Sequence, residues 1–124
     1  MKLIETIYAP KAVGPYSQGI LANDTLYVSG QIPFIPETMQ LISLDVKEQT
    51  LQSLTNVLAI VETAGLKKED IVRCGVFMTD LNDFSKMNEV YSEFFNGHKP
   101  ARAAVEVRRL PKDVFIEIDA IAVK

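Results

Sequence analysis

Cysteine and histidine are nearly missing from this chain, which has one of each, Cys74 and His98. A single cysteine excludes a disulfide framework within the chain and fits a reducing, cytosolic compartment. Cys74 lies in the apolar, β-branched run of residues 71–78, which marks it as a small core residue rather than a nucleophile. One histidine, distant in sequence from the cysteine, supplies neither a metal set nor a Ser-His-Asp triad. No apolar run approaches the length of a membrane span. The first residues lack a signal peptide's apolar stretch, because Glu5 and Pro10 intervene. A basic surplus is also missing. Thirteen Lys and Arg stand against 16 Asp and Glu, a formal net charge of −3. The short clusters Lys67-Lys68 and Arg108-Arg109 lie near acids and read as solvated surface, so nucleic acid is not an expected partner. These absences point to a soluble cytoplasmic protein without a metal site.

What is present is enough for one domain over residues 1–124, with 48% apolar residues to build a core. There is no repeat, linker or low-complexity segment. Residues 3–8 read as an edge strand ending at Pro10. Residues 14–19 form a turn-rich loop. Residues 20–21 and 25–28 flank Asn23-Asp24 as a hairpin, and Gly30 then breaks the second strand. The clearest helix covers 45–64. Asp45 and Glu48 have capping-box spacing, Leu54, Val57, Leu58 and Val61 form one stripe, and Gly65 is the stop. A strand over 71–78 follows. A second helix, capped by Asn82 or Asp83, runs to about Phe95 and ends at Gly97. Strands at 102–107 and 114–123 surround a turn at 110–113. The order predicts an α+β fold, with a sheet covered on one face by helices.

Arg102 is the first candidate functional residue. It follows Pro100 among Ala101, Ala103 and Ala104, with no acid beside it. A guanidinium is always charged and presents a planar fork that fits a carboxylate. Its partner must come from elsewhere in the fold, another subunit or a ligand; a solvated arginine on a strand edge is the alternative. In the last strand Ile116, Ile118, Ala120 and Ala122 share one face, and Glu117, Asp119, Ile121 and Val123 the other. If the last two strands pair as a hairpin, Arg102 lies near residues 120–123, away from Glu117. Tyr16 offers a hydroxyl on a constrained loop. Ser29-Gly30 offers a hydroxyl and a free N–H at a strand break. Each of these alone fits a structural role.

Several segments occur together in one order: Gly14-Pro-Tyr-Ser-Gln-Gly19, Val28-Ser-Gly-Gln-Ile-Pro33, Phe77-Met-Thr-Asp-Leu-Asn-Asp-Phe84 and Asn88-Glu-Val-Tyr91. Pro100-Ala-Arg102, Val105-Glu-Val107 and Leu110-Pro-Lys-Asp113 followed by Ile116-Glu-Ile118 complete the set. From about Thr6 to Val123 the chain resembles the reactive intermediate deaminase (RidA, or YjgF-like) family. The resemblance implies a chorismate mutase-like mixed sheet with two helices on one face. It also implies a homotrimeric barrel with clefts between subunits, and hydrolysis of 2-aminoacrylate and 2-iminobutanoate to 2-ketoacids and ammonia, a reaction that requires no cofactor. By motif, Arg102 would bind the substrate carboxylate and Glu117 would handle the water and protons. Tyr16, Ser29 and Gly30 would line the pocket, and the Ala104 carbonyl would help place the water. Many members carry Ser-Cys where this chain has Ala103-Ala104, so no thiol chemistry is available there. Arg108 beside Arg109 is a further departure. The competing readings are a non-catalytic trimer that binds small carboxylates, and a ribonuclease or translation inhibitor, against which the acidic charge argues.

Overall fold

The computed structural model describes residues 1–124. Six strands form one mixed sheet: β1 (Lys2–Ile4), β2 (Gly19–Ala22), β3 (Thr25–Gln31), β6 (Ile71–Met78), β7 (Ala101–Glu106) and β8 (Ile116–Val123). Their spatial order is β1-β2-β3-β8-β6-β7. A small hairpin, β4 (Phe34–Ile35) with β5 (Gln40–Leu41), stands apart; no hydrophobic alternation announces strands this short. The helices are α1 (Val46–Thr63) and α2 (Phe84–Phe95).

The core lies between the helices and one face of the sheet. Along β8 the even-numbered residues Ile116, Ile118, Ala120 and Ala122 are buried, the face expected from the two-residue period. Against them pack Leu54, Val57, Ile60 and Val61 of α1, all inaccessible to solvent. Met87, Tyr91 and Phe95 are the buried side of α2. Cys74 is buried with Val76 and Met78 on β6. The opposite face of the sheet has no helix over it. Tyr27 pairs with Ile121 there, and Phe77 pairs with both Glu117 and Val105.

The helix boundaries follow their side chains. The Asp45 carboxylate accepts from the Glu48 N–H at 3.0 Å, satisfying one of the free donors at the start of α1. The reciprocal half of the expected capping box is replaced by Ser43, whose hydroxyl accepts from the Asp45 N–H. Gly65, at φ 86°, terminates α1 as expected. In α2 the left-handed cap is Asn96, at φ 46°, one residue ahead of the expected Gly97. Asparagine tolerates that conformation because its short polar side chain bonds locally.

Two strand expectations are corrected. The first strand covers residues 2–4, not 3–8, because residues 6–10 are pinned instead by the side chain of Gln18. The last two strands do not form a hairpin. β7 pairs in parallel with β6 alone, and β8 lies on the other side of β6, antiparallel to it. The β6–α2–β7 segment is a crossover unit, which joins parallel strands through a helix. This leaves β7 as an edge strand.

Truncating Leu54 to alanine removes a fully buried side chain from the helix–sheet contact. Leu54→Ala is expected to lower unfolding stability by about 2–5 kcal/mol. Urea melts should show a lower midpoint with an unchanged slope; a midpoint equal to wild type would refute this placement of the core.

Candidate functional site

The double register of β6 places the two leading candidates. Cys74 pairs with Arg102 on β7 and with Ala120 on β8. Paired residues on neighbouring strands share a face, so Arg102 lies on the helix side with Cys74 and Ala120. Phe77 pairs with Val105 and Glu117, which puts Glu117 on the uncovered side. Within one chain, Arg102 and Glu117 therefore lie on opposite faces of the sheet.

Arg102 is exposed at the edge and oriented by α2. Its Nη1 donates to Asn88 Oδ1 at 2.7 Å. Its guanidinium carbon lies 4.8 Å from the Tyr91 ring centroid and 5.5 Å from that of Phe84, within cation–π range. Residues 84, 88 and 91 follow the i, i+4, i+7 spacing of one helical face, which here meets β7. No carboxylate pairs with Arg102. Together with Asn88, Tyr91, Ser92 and Lys99 it borders a cavity of about 410 Å³. Beneath it, burial pushes the Cys74 thiol up to about 11, so the thiol is protonated and inert at neutral pH. Burial likewise raises the Tyr91 phenol, with Cys74 beside it adding to the shift.

Glu117 has a different environment. Gly30 lies directly against its carboxylate; a Cβ at that position would collide with Glu117 Oε2. The expected strand break at Gly30 is corrected: Gly30 lies inside β3, at an irregularity of its pairing with β8 between Val28 and Gln31, and forms a notch for a carboxyl group. A second notch lies on the other flank. The Asp119 carboxylate sits over Gly75 and accepts its N–H at 2.8 Å. Glu117 itself has no such donor. Burial, and then the charge of Asp119, hold its carboxyl above the ordinary carboxylate range.

Tyr16 and Gly30 border one cavity of about 360 Å³, together with Ile32 and Lys112. Ser29 contributes differently from expectation. Its hydroxyl donates to the Ser17 carbonyl at 2.6 Å, and its N–H donates to the Gln18 carbonyl. It ties the Tyr16 loop to β3. Ala104 is half-buried on the helix side, in register with Val76, while Ala103 faces the other way, in register with Gly75. No group of three or more His, Cys, Asp or Glu side chains converges in a way that would hold a metal ion.

Three buried amides fix loops, and those of Asn56 and Gln18 hold carbonyls of residues that line the Tyr16–Gly30 cavity. Asn56 donates to the carbonyls of Ile32 and Phe34 at 3.2 and 2.9 Å. Gln49 donates to the Ser43 carbonyl and accepts the Phe115 N–H. Gln18 donates to the Ala9 and Pro10 carbonyls and accepts the Thr6 N–H. Buried amides that are fully engaged specify a single loop geometry. Asn56 and Gln49 carry no signal in the sequence, and Gln18 is visible there only as a member of the Gly14–Gly19 motif. Asn88 stands in a quoted motif, but only its distance to Arg102 reveals its role.

The raised Glu117 carboxyl has a measurable consequence. Its native pKa lies above its unfolded one, so the native state holds the proton more tightly and ionisation costs stability. Stability should fall as pH rises from below 4.5, the ordinary value, through the raised native value. Glu117→Gln should flatten that part of the profile in urea melts; an unchanged profile would contradict the burial assigned to Glu117.

Residues 6–124 match the protein-family model described as Endoribonuclease L-PSP. The chain is 54% identical over 123 residues to a RutC family protein of Pyrococcus horikoshii, covering 99% of this chain and 98% of that one. It is 54% identical over 126 residues to the 2-iminobutanoate/2-iminopropanoate deaminase of Escherichia coli K12, with coverages of 99% and 98%. The crystal structure of E. coli TdcF with bound serine superposes with a TM-score of 0.96 at 51% identity, covering 100% of this chain and 99% of that chain. The E. coli YjgF gene product superposes with a TM-score of 0.97 at 54% identity, with coverages of 100% and 99%.

Proposed function

The chain belongs to the Endoribonuclease L-PSP family, which includes the YjgF-type reactive intermediate deaminases, and on that premise we propose that it hydrolyses 2-imino acids and their enamine tautomers. The products are a 2-ketoacid and ammonia; 2-iminobutanoate gives 2-oxobutanoate, and 2-aminoacrylate gives pyruvate. The observation that carries this reading is a pair of groups of complementary use, neither paired with an opposite charge. One is an exposed guanidinium oriented by Asn88. The other is a carboxyl held above its usual range in a glycine notch.

In this mechanism Arg102 takes the substrate carboxylate as a bidentate pair. Water adds to the imine carbon while Glu117 takes a proton from it. The same carboxyl then returns that proton to the amine nitrogen, and as the C–N bond breaks it takes the remaining proton from the hydroxyl, so that ammonia leaves and the ketone forms. An elevated pKa suits a group that must both accept and donate near neutral pH. For 2-aminoacrylate, protonation at the terminal carbon first gives the imine. Tyr16 and the Gly30 N–H contribute to the pocket, and the Ala104 carbonyl helps to place the water. No thiol takes part.

Because Arg102 and Glu117 occupy opposite faces within one chain, we assign the working cleft to two chains. Arg102 comes from the β7 edge of one and Glu117 from the uncovered face of its neighbour. A homotrimer with three such clefts fits this assignment, and it would cover Tyr27, half exposed at 51%, and the apolar residues around it. Cytoplasmic residence fits the single buried thiol. An RNA-cleaving reading, named by the family description, finds less support in a chain of net charge −3.

Both key groups are testable by substitution. Arg102→Ala removes a charged hydrogen-bonding partner worth about 1.5–3 kcal/mol, so kcat/KM for 2-iminobutanoate should fall at least tenfold. Glu117→Gln should lower kcat by roughly 10²–10⁴ while binding of small carboxylates persists. Wild-type turnover in either variant would defeat the proposal. Carboxylate binding with no turnover in the wild type would favour a ligand-binding regulator instead.

A further inference from the structure

The two cavities that hold the proposed site residues share an electrostatic feature that a monocarboxylate does not require. Besides Arg102, the first is lined by Lys99 and His98 and by no carboxylate. The second is lined by Lys11 and Lys112, with the Glu117 carboxylate set against its Gly30 wall. Three other cavities on the molecule each include a glutamate: Glu5 and Glu37, Glu48 and Glu93, or Glu5 alone. Lysine and arginine outnumber acids at both places, in a chain whose net charge is −3. A single substrate carboxylate is already matched by Arg102, which leaves cations to spare.

Lys112 is the most deliberately placed of these. Its φ is 59° and that of the following Asp113 is 56°. Two consecutive non-glycine residues in the left-handed region persist only where their surroundings enforce it. Pro111 precedes them. Arg109 grips the Asp113 carboxylate from beyond the turn, with Nε–Oδ1 at 2.7 Å and Nη2–Oδ2 at 3.4 Å. The N–H groups of Asp113 and Val114 donate to the carbonyls of Leu110 and Pro111. The clasp uses Asp113 and leaves Lys112 outside every ion pair of the chain. The cavity that Lys112 borders has apolar walls at Val13, Ile32, Phe34 and Met39 and a volume of about 360 Å³.

We propose that Lys112 is a specificity-determining residue, selecting 2-imino acids that carry a second carboxylate at the end of a short aliphatic side chain. This is the class formed when acidic amino acids are oxidised at the α-carbon. The methylenes lie against the apolar wall, the distal carboxylate meets the ammonium of Lys112, and the α-carboxylate meets Arg102. The inference rests on the imine-hydrolysis reading above and names the substrate class of that same cleft. A charge-assisted contact of this kind changes kcat/KM on the order of 10- to 100-fold.

The test compares two imines made in situ by amino-acid oxidases with catalase present, one from L-glutamate and one from L-2-aminobutanoate. The disappearance of semicarbazide-trapped imine is followed for each. The quantity read is the ratio of kcat/KM for the glutamate-derived imine to that for 2-iminobutanoate. Lys112→Met should lower the ratio by about 10- to 100-fold, and Lys112→Arg should restore most of it. An unchanged ratio in Lys112→Met, with 2-iminobutanoate still hydrolysed, overturns this proposal and leaves the imine reading intact. Failure of the wild-type protein to accelerate either imine overturns both. Should Lys112→Met not fold, the wild-type ratio at low and high salt decides. Pairing with Lys112 predicts a ratio that falls as salt rises, and a flat ratio overturns it.

Discussion

Strand β6 pairs in parallel with β7 and antiparallel with β8, and that double register assigns Arg102 and Glu117 to opposite faces of one sheet. Side chains alternate along a strand with a period of two, so a slip of one residue would exchange the faces. The register is held by burial. Cys74 and Val76 on β6, and Ile118 and Ala120 on β8, are all in the core, and a slip would turn them to solvent. The position of Arg102 is therefore a by-product of core packing. It sits in the same row as Cys74 and Ala120, and the α2 residues over that row supply Asn88 and the Tyr91 ring.

The face that carries Glu117 obeys a different constraint. Two acids two residues apart on β8 need room, and each finds it over a glycine on a different neighbouring strand: Glu117 over Gly30 and Asp119 over Gly75. Only Asp119 gains a backbone donor in exchange. Asp119 is thereby anchored, and Glu117 is left with a half-buried carboxyl and a like charge nearby, the combination that raises its pKa. The loops that border the cavity at Gly30 are held by the amides of Asn56 and Gln18. Asn56 and Gln18 thus shape the cavity in front of Gly30 by holding its Ile32, Phe34 and Pro10 walls.

Much of this was legible in the sequence. The alternation of β8, the α1 stripe, the Asp45 cap and the Gly65 stop each follow from local patterns, and the structure has them. The notch at Gly30 was visible as a glycine in a strand, though not what fills it. The pairing of the last strands was not legible, because Leu110-Pro-Lys-Asp113 reads equally well as a hairpin turn and as a connection passing over β6. Long-range register depends on which strands the crossover helix separates, and no local signal encodes that. Asn56, Gln49 and Gln18 were hidden for a related reason: a buried amide differs from a solvated one only by partners distant in sequence. Ser29 was recognised as part of the site region, but its hydroxyl serves the Tyr16 loop.

If the two groups of the site come from different chains, each can be supplied by a different defective chain. Arg102→Ala chains retain Glu117, and Glu117→Gln chains retain Arg102. The most direct test is to unfold the two variants together in equal amounts, refold them, and measure 2-iminobutanoate hydrolysis against each variant refolded alone. Random assortment into closed assemblies leaves about a quarter of the clefts with both native groups, so activity should return to roughly that share of the wild-type rate. A mixture no more active than the separate variants would contradict a site shared between chains.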